Sequence, residues 1–158
     1  MPSIVTVLIW FTALSSGLIA GVYFAFSGFI MKALSKLDIA QSIAAMNAIN
    51  ETILRSLFIP LFFGSSIISL LLVIISIIYW NETDATLVLI TGAIYFIGMF
   101  VCTVLFNLPL NTALEVLRPD NNNKQSWSHY LKIWTAWNHL RTISSLVTCI
   151  LCIYLLTP

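Results

Sequence analysis

Trp134, Trp137, Asn138, His139 and Arg141 crowd into eight residues, the chain's densest run of chemically capable side chains. At 100° per residue, Trp134, Trp137, Asn138 and Arg141 fall within an arc of roughly 100°, and Trp127, Tyr130 and Ser145 extend the same stripe. A guanidinium and a carboxamide can stabilise negative charge developing on an oxygen, and indole rings can flank a flat molecule. The same stripe would equally serve as an interfacial membrane anchor. His139, the side-chain type best suited to general acid–base work, projects roughly 140° from Trp134, beside Lys132 and Thr135.

Three further amides accompany this set. Asn50 falls on the apolar stripe of Ile39, Ile43, Met46 and Ile53, so it is a polar group aimed into apolar surroundings; unpaired, it would cost on the order of a few kcal/mol. Asn107 and Asn111 flank Pro109 four residues apart.

The elements that position these groups must be membrane helices. Hydrophobic residues make up 59% of the chain and charged ones 8%, with a mean hydropathy of +0.99; an ordinary hydrated surface needs about a quarter charged. Apolar runs at about 4–30, 53–80, 87–106 and 140–156, the first of them without any charge, are long enough to cross a bilayer or nearly so. The expected fold is an all-α integral membrane four-helix bundle, one transmembrane domain over 1–158, with short amphipathic helices in two connections.

Local signals refine each connection. Asp38 with Gln41 reads as a helix start with a capping-box partner, and the helix that begins at Ile39 should run on into the second span, bent near Pro60. Glu51 and Arg55 are spaced for an i, i+4 ion pair. Pro109 should break or restart the third helix. Arg118 to Ser126 reads as a polar loop, followed by an amphipathic helix from Trp127 and a short fourth span of 17 residues. That shortness puts Arg141 at the hydrocarbon boundary, where it either snorkels to the headgroups or faces a pocket. Asn81-Glu82-Thr83 matches a glycosylation sequon but abuts the second span, which makes the match coincidental.

The four spans leave the connections 31–52 and 107–139 on one side and both termini on the other. All seven basic residues lie on the first side, which the positive-inside rule makes cytoplasmic, with both termini external. Asn50, Asn107, Asn111, Asn138 and Arg141 gather on that same side, which suggests a pocket at the cytoplasmic headgroup level. Gly17, Gly21, Ala25 and Gly28 give the first span a smooth face, suited to helix packing, to a homo-oligomer, or to a flat ligand.

Other chemistries find little support. Cys102, Cys149 and Cys152 all lie in apolar runs and suit neither a disulfide framework nor a metal knuckle. His129 and His139 are ten apart, outside the i, i+4 spacing of helical metal ligands, so no metal site is expected. A net charge of +1 gives no reason to invoke nucleic acid.

Gly21-Val-Tyr-Phe-Ala-Phe-Ser-Gly28, Ala45-Met-Asn-Ala-Ile-Asn50, Asn107-Leu-Pro-Leu-Asn111 and Trp134 to Thr142 resemble, in order, successive blocks of the anthrone oxygenase-like family of four-span membrane proteins. The resemblance implies a four-helix fold and a monooxygenase that needs no cofactor and turns anthrones into anthraquinones. An anthrone carries an acidic C–H beside a carbonyl, and its anion can meet oxygen without metal or flavin. On that reading Arg141 with Asn138, Asn107 and Asn50 are oxyanion donors, Asn111 joins the substrate pocket, and Trp134 and Trp137 are its planar walls. His139 ranks ahead of Glu51 as the base, provided the helix distorts near Trp137. The expected partners are the bilayer and a hydrophobic small molecule; a small carrier or a non-enzymatic scaffold are the competing classes.

Overall fold

A computed structural model describes residues 3–81, 84–118 and 120–157, in which all regular structure is helical. Four helices are long and apolar enough to cross a membrane: α1 (Ser3–Leu34), α3 (Phe58–Ile78), α4 (Ala85–Glu115) and α5 (Lys124–Leu156). A shorter helix, α2 (Ile39–Leu54), joins α1 to α3. Glu82 and Thr83 of the sequon lie outside the described residues.

The hydrocarbon core of a bilayer is about 30 Å thick, and a helix rises about 1.5 Å per residue. With 21 residues, α3 just spans it. The 32, 31 and 33 residues of α1, α4 and α5 exceed it by roughly half. These three are therefore longer than a bilayer requires, and toward their basic-side ends Phe26, Met31, Leu114 and Trp127 pack with Met46 of α2 as one core. Within the membrane, the helices meet through small residues and hydroxyls. Ser66 and Ser76 return their hydroxyls to carbonyls four residues back at 2.6 Å, so their polarity is absorbed by their own helix.

Several local expectations are corrected. Arg55 to Leu57 interrupts the helix between α2 and α3, so Pro60 sits in the first turn of a new helix and does not bend a continuous one. A proline ring collides with the carbonyl four residues back, here that of Ser56, and the chain resolves this by breaking there. The Ser56 hydroxyl accepts from the Phe58 N–H at 3.1 Å and so caps the restart. Asp38 occupies the N-cap position of α2 but makes no side-chain cap bond; Ser42 instead donates to the Leu34 carbonyl at 2.7 Å.

Pro109 breaks nothing either. The helix runs from Ala85 to Glu115 because it widens into π-helical turns at Phe96–Val101 and Thr103–Asn107 just before the proline. Leu108 bonds back to the Thr103 carbonyl, five residues away. The amphipathic helix and the fourth span are likewise one helix, since the sequence of α5 contains neither glycine nor proline to part them.

The small-residue face of α1 is not an intramolecular seam throughout. A Cβ on Gly17 would meet Cys149 Sγ at 3.4 Å, but one on Gly21 would meet nothing within 4 Å, and Gly21 and Gly28 are exposed.

Candidate functional site

Arg141 lies fifteen residues from the C-terminal end of α5, about 22 Å along its axis and less than the length of α3. At the centre of a membrane helix such a cation costs roughly 3 kcal/mol even on permissive insertion scales, and less toward the boundary. It does not snorkel, and of the two alternatives open from its sequence position it takes the pocket. It is 4% exposed and points into the bundle. Its guanidinium lies over the Tyr23 ring, 4.3 Å from the centroid, and faces Trp134 at 5.0 Å. Nη2 donates to Asn138 Oδ1 at 2.7 Å and Nη1 to Thr103 Oγ1 at 3.4 Å, while Nε has no partner. Among the described residues the one ion pair is Glu51–Arg55, so Arg141 has no counter-ion. Two ring faces and two neutral acceptors hold it, and its charge is left to act on whatever enters.

What it faces is a cavity of about 230 Å3 enclosed by α1, α2, α4, α5 and the start of α3. Tyr23, Asn50, Thr103, Asn111, Trp134 and Arg141 supply its polar atoms, and Phe26, Met46, Phe58 and Phe62 are among its apolar walls. An apolar cavity of roughly 150 Å3 accepts benzene, so this one has room for more than a single ring. Its rim includes the exposed side chains Leu54, Phe63, Val104 and Leu108. A more polar hollow of about 460 Å3 adjoins it, shares Asn50 and Asn111 with it, and carries Glu51 and Glu115.

The site is assembled by deviations from regular helix. The π-helical turns of α4 bring Thr103 and Asn107 to the α5 side, where Asn107 Nδ2 donates to the Trp134 carbonyl at 3.2 Å. Another π-helical turn, Phe26–Ile30 of α1, follows Tyr23, whose carbonyl accepts from Asn138 Nδ2 at 2.7 Å; the same nitrogen reaches Ser27 Oγ at 2.7 Å. A slip from four- to five-residue spacing leaves a carbonyl without its usual N–H, and amides buried nearby can fill such vacancies. Asn111 Oδ1 accepts from both Trp134 Nε1 at 2.8 Å and the Tyr130 hydroxyl at 2.9 Å, which fixes the indole as a wall.

Of the residues singled out by sequence, Asn50, Asn111, Trp134 and Arg141 line the cavity. Asn107 and Asn138 are buried behind that lining and hold it in place. Asn50 Nδ2 is buried without a hydrogen-bond partner.

Two residues are not brought there. Trp137 is half-buried and stacks on Phe106 at 3.7 Å, outside the cavity. His139 is exposed in a separate groove with Lys32, Lys132 and Thr135, because α5 runs without the distortion that would turn the imidazole inward. Glu51 is also turned away, its side chain 70% exposed and paired with Arg55 at 3.1 Å.

Tyr23, Thr103 and Phe58 are cavity residues that the sequence does not single out. Tyr23 is one aromatic among several between Gly21 and Gly28. Thr103 depends on a π-helical turn that no sequence period announces.

The sequence model of the anthrone oxygenase family matches residues 55–151, a stretch that contains Thr103, Asn111, Trp134 and Arg141 but neither Tyr23 nor Asn50. No curated protein and no solved structure matches the chain.

Proposed function

The chain belongs to the anthrone oxygenase family, and on that premise we propose that this membrane oxygenase-like protein oxidises a flat, enolisable aromatic ketone by letting its carbanion react directly with oxygen. The observation that carries this is Arg141, a cation without a counter-ion, set between two ring faces at an apolar cavity inside the bundle. An apolar enol is drawn in by the walls, and its deprotonated oxygen finds the guanidinium that nothing else neutralises. The protein thus selects the electron-rich anion, and that anion is the reductant of oxygen. Among the described residues of the lining none is Asp, Glu or His, so the first proton passes to water by way of the polar hollow. The reacting methylene carbon then becomes a carbonyl as one oxygen molecule is consumed and one water is released.

Protein in detergent, stripped of metal and flavin, should consume oxygen and form one equivalent of ketone when given an anthrone-like phenolic ketone. An oxygen electrode with product chromatography measures both. A strict requirement for added metal or flavin would overturn the reading.

The same reading places the site at the cytoplasmic leaflet, because all seven basic residues lie at that end of the helices. A reporter inserted at residue 121 should read cytoplasmic and one fused after residue 158 external. The reverse pattern would move the site to the other leaflet.

A further inference from the structure

We propose that Tyr23 is the proton-transferring residue of the second half of the reaction, giving a proton to the peroxide formed from substrate and oxygen and taking one back from carbon. The assignment rests on the function proposed above.

Among the described residues lining the cavity, only Tyr23 and Arg141 carry ionisable side chains, and an arginine does not release its proton. Tyr23 is 4% exposed and directly beneath the guanidinium, so the acid and the charge that would steady its anion are already in contact. Its hydroxyl donates to Met99 Sδ at 3.6 Å. A thioether is a weak acceptor, and Thr103 and the Arg141 guanidinium, which both line the cavity, lie beside the same hydroxyl. Asn138 holds the Tyr23 carbonyl at 2.7 Å, and Phe58 meets the ring edge with centroids 6.1 Å apart, which fixes where the hydroxyl points. Arrays of this kind suit proton transfer better than support alone, since a phenylalanine would offer the cation an equivalent ring face.

The chemistry balances with no further reagent. The substrate carbanion, which keeps one hydrogen on the reacting carbon, adds oxygen through a new C–O bond and becomes an alkyl peroxide anion. The Tyr23 O–H bond breaks and its proton goes to the terminal peroxide oxygen, giving an alkyl hydroperoxide and a phenolate beside Arg141. That phenolate removes the remaining proton on carbon; the C–H electron pair becomes the second bond of C=O, the O–O bond breaks and hydroxide leaves. Hydroxide takes up the proton lost when the carbanion formed. In sum, a methylene and one dioxygen become a carbonyl and one water, with carbon oxidised by four electrons and oxygen reduced by four.

Tyr23→Phe tests this, because it keeps the ring against Arg141 and removes only the hydroxyl. The readout is ketone formed per oxygen consumed, together with organic hydroperoxide trapped by iodide. The native protein should give one ketone per oxygen and no hydroperoxide. The variant should still consume oxygen, but its ketone yield per oxygen should drop at least about tenfold as hydroperoxide accumulates; positioned acid–base groups typically contribute about 10²-fold or more to the step they serve. A variant with the native ratio would overturn the assignment. So would one that loses oxygen consumption itself with an unchanged melting temperature, since that would place Tyr23 before the peroxide. Native protein that consumes no oxygen defeats the proposed function, and the assignment with it.

Discussion

Arg141→Ala should lower kcat by about 10² to 10³ per folded molecule, the usual cost of losing one preorganised group at a developing oxyanion. The size of the effect follows from isolation. Arg141 has no counter-ion among the described residues, so its whole charge is available to the substrate anion, and a low-dielectric setting makes each charge contact stronger than it would be in water. Arg141→Lys should recover part of the rate. An ammonium keeps the charge but cannot present a planar fork to Asn138 and Thr103 while lying flat between Tyr23 and Trp134. His139→Ala serves as the control, because that side chain lies in a different groove, and its turnover should stay within about twofold of native, inside the small range usual for surface changes. The measurement is single-turnover oxidation normalised to monodisperse protein. Equal rates for native and Arg141→Ala protein would mean that the guanidinium only anchors the fold.

The second large effect concerns the seam beneath the site. A Cβ placed on Gly98 would overlap the Ser144 hydroxyl and lie 2.6 Å from Ser144 Cβ. Gly98→Ala should therefore force α4 and α5 apart, at about 2 to 3 kcal/mol for overpacking a closed seam. For a chain of this length that lowers the melting temperature by roughly 5 to 10 °C. Gly98 lies within the π-helical turn Phe96–Val101, and Ser144 follows Arg141 by three residues, so the same shift should loosen the contact between Arg141 and Thr103. Ser144→Gly added to Gly98→Ala should restore most of the loss, whereas Ser144→Ala should restore little because its Cβ remains in the way. Thermal unfolding in detergent of the three single and two double variants decides the point. Additive losses, with no rescue by glycine, would show that the seam relaxes elsewhere.

Much of the site's location is legible in the order of residues alone. Length and apolarity require four membrane helices, and the basic residues sort the connections onto one side. The 100° step places Trp134, Asn138 and Arg141 together and His139 apart from them, and in the folded chain the first three are buried and His139 is exposed. These are properties of a single helix, in which residue spacing fixes angle. They follow from sequence because the backbone leaves one regular way to satisfy its hydrogen bonds in lipid.

The tertiary structure decided what covers each face. Trp134 and Trp137 share a stripe by sequence, yet one walls the cavity and the other stacks on Phe106, because α4 packs against that side of α5. By sequence Arg141 lies at the hydrocarbon boundary, free to reach the headgroups; in the folded chain it is turned into the bundle and faces Tyr23, 118 residues away. Thr103 enters the site only because α4 widens before Pro109 and does not break there. The period of a helix states which residues share a direction. Which neighbour lies in that direction, and at what height, depends on close approaches such as Gly98 to Ser144 and on π-helical slips, both of which arise between segments distant in sequence.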